Sequence, residues 1–213
     1  MLITKKNVLT LLCSVLLIAG ITFSAWLIPL ISQSWLRTAA KVGLNLLNGA
    51  VALVALRTSG IEFRPEFRSW KPYALGLLLA LLLSLVIAVF PSLFGVYFVG
   101  LPTEFSLAQL LSDFCFFLLV IGPVEELVFR VYLQEALCSF FPGRKWLGVV
   151  LAASLFGLWH WINGNLMQVI FTFLIGLYFG FAKYKVKGCG YVGVALGHGL
   201  YDALNTLVRM LLP

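Results

Sequence analysis

Apolar residues run along this chain in long stretches separated by short polar or basic clusters, covering residues 8–31, 39–56, 73–95, 106–140, 147–163, 166–183 and 190–211. All but the fourth lie near the roughly 17 to 25 residues that a helix needs to cross a bilayer. The pattern predicts an all-α fold, a polytopic transmembrane helix bundle of about seven spans. The fourth run is too long for one straight crossing at about 1.5 Å per residue, and Gly122-Pro123 lies in its middle. A kinked or broken helix is expected there. Lys5 and Lys6 precede the first run as they would in a signal peptide. That run is longer than a signal core and no small-x-small site closes it, so it reads as a membrane helix. Without a repeat, linker or low-complexity tract, the spans form one integrated domain, in which residues 1–105 carry no motif and 106–213 carry the chemistry.

Composition agrees with the pattern. Hydrophobic residues make up 62% of the chain and charged residues 11%, against about a quarter charged in a soluble domain. The net charge of +7 points to orientation rather than to nucleic acid, because the basic residues form no single face. If the spans alternate, Lys5, Lys6, Arg57, Arg64, Arg68, Lys71, Arg144, Lys145, Lys183, Lys185 and Lys187 fall on one side, and Arg37, Lys41 and Arg209 on the other. The N-terminus is then cytoplasmic and the C-terminus outside. Cys13, Cys115, Cys138 and Cys189 show no CxxC pairing and are expected to be small buried hydrophobes.

Ionisable groups at membrane depth are costly and mark function by default. Here they are Glu125, Glu126, Arg130, His160, His198 and Asp202, with Asp113, Glu135 and Asn205 as weaker members. Counted from the basic loops at about 1.5 Å per residue, Glu125 lies about 22 Å deep, His160 about 20 Å, His198 about 13 Å and Asp202 about 19 Å. Three helices thus bring carboxylate and imidazole groups to one layer. Adjacent helical residues project about 100° apart, so Glu125 and Glu126 face different ways. Glu126 and Arg130, at i and i+4, share a face, on which Arg130 neutralises Glu126 and leaves Glu125 toward the cavity. A purely structural Glu–Arg pair is the plainer reading of that segment alone.

The chain has two histidines. Phe156 and His160 share a helical face, so the ring can wall the imidazole from lipid; a lone membrane histidine is also often just an interhelical hydrogen-bond partner. His198 and Asp202 share another face, with Asn205 on the next row, and the carboxylate could fix the imidazole tautomer or, protonated, help polarise a carbonyl. The Gly176-x3-Gly180 and Gly193-x3-Gly197 spacings read as packing motifs.

In this order, EExxxR at Glu125, Glu126 and Arg130, FxxxH at Phe156 and His160, and HxxxD at His198 and Asp202 resemble the CPBP family of intramembrane proteases. That family includes the CAAX prenyl endopeptidases and bacteriocin-processing or Abi-like immunity proteins. The resemblance covers about residues 106–209 and implies an endopeptidase that hydrolyses a peptide bond in a membrane-associated protein or peptide. It implies that Glu125 and His160 activate the water and that His198 with Asp202 stabilises the oxyanion, a position where many relatives carry asparagine. Glu126, Arg130, Phe156 and Asn205 are supporting residues.

Zinc usually takes three protein ligands and a water. Glu125, His160 and His198 could supply three, but that would remove the best general base, so a metal-independent mechanism is favoured with no cofactor. The expected partners are a membrane-anchored substrate and the lipid bilayer, with no nucleic acid. The small size suggests a bacterial cytoplasmic-membrane protein, which argues mildly against a prenylated substrate. Two other classes are a non-catalytic immunity or partner-binding protein with a structural polar layer, and a small proton-coupled transporter. An unpaired carboxylate at depth disfavours the first, and the lack of a repeat disfavours the second.

Overall fold

The computed structural model describes residues 5–98 and 100–212; residues 1–4, Val99 and Pro213 lie outside the description. The described residues are helical and loop segments without a strand. Helix α1 spans Lys5–Leu27, α2 Ser34–Ser59, α3 Lys71–Ser92 and α4 Leu107–Phe140. Helix α5 spans Lys145–Trp159, α6 Leu166–Lys185 and α7 Gly190–Leu211. The ends follow local chemistry. Ser106 accepts from the backbone N–H of Gln109 to cap α4, Pro72 opens α3, and Gly60 ends α2 in the left-handed conformation that glycine adopts most cheaply.

Six helices among the described residues are long and apolar enough to cross a membrane, one in each of the first six apolar runs, and the chain is an integral membrane protein. The seventh expected span, α7, has the length, 22 residues. Its His198, Asp202, Asn205 and Arg209 and its glycines keep it outside that apolar set. Of the kink or break expected at Gly122-Pro123, the break does not occur: α4 is one helix of 34 residues. Two π-helical segments flank that dipeptide, Phe117–Ile121 and Leu127–Leu133. Pro123 has no N–H and its ring crowds the carbonyl four residues back, and a wider turn relieves this. The N–H of Gly122 accordingly reaches the carbonyl of Phe117, five residues earlier.

The chain forms two compact units that interleave in sequence, Met1–Arg64 with Leu127–Gly180 and Pro65–Glu126 with Phe181–Pro213. In the first, α1 and α2 run antiparallel, since Ser24 lies opposite Asn48 and Cys13 opposite Thr58. The Tyr132 hydroxyl, fully buried, donates to the carbonyl of Thr10 at 2.9 Å and ties α1 to the end of α4. Helices α5 and α6 are antiparallel along a seam of small residues, Gly176 against Ala153 and Gly180 against Val149.

In the second unit, α3 and α7 run parallel. A Cβ on Gly76 would meet the Gly193 carbonyl at 2.7 Å and the Gly197 nitrogen at 3.2 Å, and one on Gly193 would meet Pro72. The first half of α4 crosses α7 just as closely. A Cβ on Gly122 would strike the backbones of Ala195 and Gly199, and one on Gly199 would strike the carbonyl of Phe117. Two glycines that face each other's backbones bring the residues beside them, Glu125 and His198, within side-chain reach.

Candidate active site

The second unit assembles a buried acid–imidazole cluster. His198 is 4% exposed, Glu125 8% and Glu126 0%. Nδ1 of His198 lies 2.8 Å from Oε1 of Glu126. Its other nitrogen, Nε2, faces Oδ2 of Asp202 at 3.5 Å and Oε2 of Glu125 at 3.9 Å. The short contact fixes the ring: a carboxylate accepts, so Nδ1 carries the proton and Nε2 is turned toward the other two carboxylates. The two longer spacings suit a bridging water or a carbonyl oxygen better than direct hydrogen bonds.

The sequence links Asp202 with His198 by i,i+4 spacing and leaves it either to fix the tautomer or to help polarise a carbonyl. In the structure Asp202 faces Nε2, and Glu126 holds Nδ1. The pairing of Glu126 with Arg130 is read from α-helical spacing, and a π-helical segment starts at Leu127, between them. Glu126 and His198 are 72 positions apart, so no local pattern could join them. The glycines at 122 and 199 were the available signal. Tyr191 was also missed: its hydroxyl donates to the carbonyl of Pro123 at 3.0 Å and pins the start of α7 beside the glutamates. Asn205 is buried two turns beyond His198. Asp113 lies apart, accepting from Gln109 at 2.8 Å near the start of α4.

The first unit holds His160, Phe156 and Arg130. His160 is the C-cap of α5 and begins a 3₁₀ turn, His160–Asn163. Its Nδ1 lies 2.8 Å from the carbonyl oxygen of Phe156. A carbonyl only accepts, so Nδ1 carries the proton and Nε2 is the nitrogen left to other groups. The rings of Phe156 and Trp159 meet the imidazole edge-on at 4.7 and 4.9 Å between centroids. The guanidinium carbon of Arg130 lies 4.3 Å over the other contact of this cluster, the Phe156 ring, a cation–π arrangement that spreads its charge at a buried site. Glu135 follows on α4, half-buried.

Among the described residues no group of three or more His, Cys, Asp or Glu is arranged to hold a metal ion. Cys138 and Cys189 are buried, whereas Cys13 is half-buried and Cys115 exposed, so the expectation of four buried cysteines holds for two. Burial pushes the Cys189 thiol up to about 11, with the Glu126 and Glu66 carboxylates adding to the shift.

Residues 107–204 match the family model described as Type II CAAX prenyl endopeptidase Rce1-like. No curated protein and no solved structure matches the chain.

Proposed function

We propose that this chain, which belongs to the CPBP/CAAX protease family through residues 107–204, cleaves a peptide bond in a membrane-anchored protein or peptide with a carboxylate-activated water. The observation that carries this reading is the orientation of His198, whose Nδ1 is bound by Glu126 while Nε2 faces Glu125 and Asp202. An imidazole held in this way can donate from Nε2 to a developing oxyanion when protonated, stabilised by the buried Glu126 carboxylate. Asp202, whose side chain is the cluster's most open at 23% exposure, assists as a donor in its protonated form. Glu125 removes the proton from the attacking water, and His160, with its Nε2 lone pair, orients that water. Hydrolysis consumes one water and yields a carboxylate and an amine. Glu125 returns its proton to the leaving nitrogen.

This mechanism uses no metal, because Glu125 serves as base rather than ligand. The substrate is anchored in the bilayer, in a bacterial cytoplasmic membrane, with the N-terminus of the enzyme on the cytoplasmic side; a prenyl group is not required. Comparing membrane-bound and released peptide termini between cells carrying the wild type and Glu125→Gln tests this. The expected result is a set of neo-termini present only with the wild type. Identical termini in both, with the variant inserted and folded, would refute proteolysis.

A further inference from the structure

Residues 93–98 and 100–106, which lead from α3 to α4 in the second unit, have no helical structure, yet their side chains are those of a membrane span. Leu93, Phe94, Val96, Leu101 and Phe105 are all exposed, Phe94 and Leu101 to 71% and 74%. From Leu93 to Leu107 the sequence holds a single charged residue, Glu104. The opposite end of the same unit is different: Arg68 and Lys71 lead into α3, and Lys185 and Lys187 precede α7. One end is suited to water and the other is not.

The apolar segment is clasped to the end of α7. Nε of Arg209 donates to the carbonyl of Leu101 at 2.8 Å, and the N–H of Thr103 donates to the carbonyl of Arg209 at 3.0 Å. Gly100 takes a φ of +105°, and a Cβ there would meet Cζ of Arg209 at 3.0 Å, so only glycine lets the guanidinium lie against this backbone. The side chain and carbonyl of one arginine thereby hold the chain on both sides of Pro102.

Two constraints fix the level at which such a segment can lie. Apolar side chains exposed in succession are unfavourable in water, and soluble surfaces rarely carry them. Non-helical backbone facing lipid cannot enter the hydrocarbon, because its N–H and C=O groups need partners there. The boundary between acyl chains and headgroups satisfies both: the side chains reach lipid and the backbone reaches water. The flanking spans lead to the same surface, since Phe90 near the end of α3 and Leu107 and Leu111 at the start of α4 are exposed as well. This continuity with two membrane helices favours lipid over a second protein as what covers the segment.

We propose that residues 93–98 and 100–106 lie in the membrane interface as a lipid-contacting segment, and that the Arg209 clasp sets the depth of α7 from it. His198 precedes Arg209 by 11 residues, about 16 Å at about 1.5 Å per residue, which is half of a hydrocarbon core about 30 Å thick. Helix α7 therefore crosses the bilayer in spite of its polar residues, with His198 near the mid-plane. The placement does not depend on the proteolytic reading.

Depth-dependent quenching in liposomes tests this with the full-length protein. An environment-sensitive fluorescent amino acid replaces Leu101, Leu78 or Lys187, all exposed, and is quenched from water by iodide or from lipid by nitroxides on the headgroup, high on the acyl chain or at the chain end. Leu78 reports the depth of His198, because it lies two residues after Gly76, which meets the backbone of Gly193 and Gly197 on the parallel α7. Position 101 is expected to be quenched severalfold more by the nitroxide high on the chain than by iodide, position 78 most by the chain-end nitroxide, and position 187 mainly by iodide. Iodide quenching of position 101 as strong as that of position 187 would place the segment in water and overturn the proposal. Quenching of position 101 from neither phase would mean that protein covers it, a second copy included, and overturns it equally. Quenching of position 78 chiefly from the headgroup overturns the depth given to α7. Peptidase activity plays no part in these readouts, so its absence would remove the protease reading alone.

Discussion

The two histidines are held through Nδ1 by different kinds of group. His198 is surrounded by three carboxylates and held through a side chain, Glu126. His160 is held by a backbone carbonyl and boxed by aromatic rings. In the proposed mechanism the first donates from Nε2 and the second accepts there. Under the proposed function, two copies of one side chain take complementary roles from the groups that fix their Nδ1 atoms. The difference teaches that the partner on the remote nitrogen, rather than the histidine itself, decides the chemistry.

The strongest way to break the comparison is to remove each ring. His160→Ala is expected to lower kcat/KM by about 10² to 10⁴, the range of acid–base assistance, measured on a cleaved membrane peptide. His198→Ala should cost about 10² to 10³, as for loss of an oxyanion donor. If either variant keeps wild-type activity, the role given to that ring is wrong. A finer test separates charge from geometry. Glu126→Gln keeps an oxygen that accepts from Nδ1 but removes the negative charge, and should lower kcat roughly tenfold, near the lower end of about 1.5–3 kcal/mol for a hydrogen bond to a charged group. An unchanged kcat would mean that Glu126 only positions the ring.

Packing supplies the next test. Gly199→Ala forces a methyl against the Phe117 carbonyl and should destabilise the protein by about 1–3 kcal/mol through overpacking, read as a lower midpoint of thermal unfolding in detergent. Gly43→Ala, where a Cβ meets nothing within 4 Å, is the control and should leave the midpoint in place. The smallest effect concerns Cys189. Its thiol, raised to about 11 by burial, stays protonated at neutral pH and forms thiolate only as the pH climbs toward that value. A thiolate-selective reagent should therefore spare it at pH 7 in the folded protein and modify it after denaturation; rapid labelling at pH 7 would contradict its burial.

Six of the spans and the family resemblance are legible in the sequence because both depend on local spacing. An apolar run of the right length is a helix in lipid, and residues four apart share its face. The same reliance on regular spacing explains what was not legible. The π-helical turns around Gly122-Pro123 depart from the regular spacing on which facing is read. The bond from Glu126 to His198 joins residues distant in sequence across the close approach of Gly122 and Gly199, whose partners no local pattern shows. His160 lies at a helix end because the 3₁₀ turn begins there, a boundary that the unbroken apolar run up to Ile162 conceals. The polar stripe on α7 was seen as site chemistry around His198 and Asp202; its reduced hydropathy, which sets this helix apart from the other six, follows from the same residues.

The most direct measurement is cleavage of a membrane-anchored peptide by purified protein in proteoliposomes, wild type against Glu125→Gln, with and without a strong zinc chelator. The account predicts full wild-type cleavage in chelator and none by Glu125→Gln under either condition. Cleavage by Glu125→Gln, or wild-type activity that the chelator abolishes and zinc restores, would contradict it.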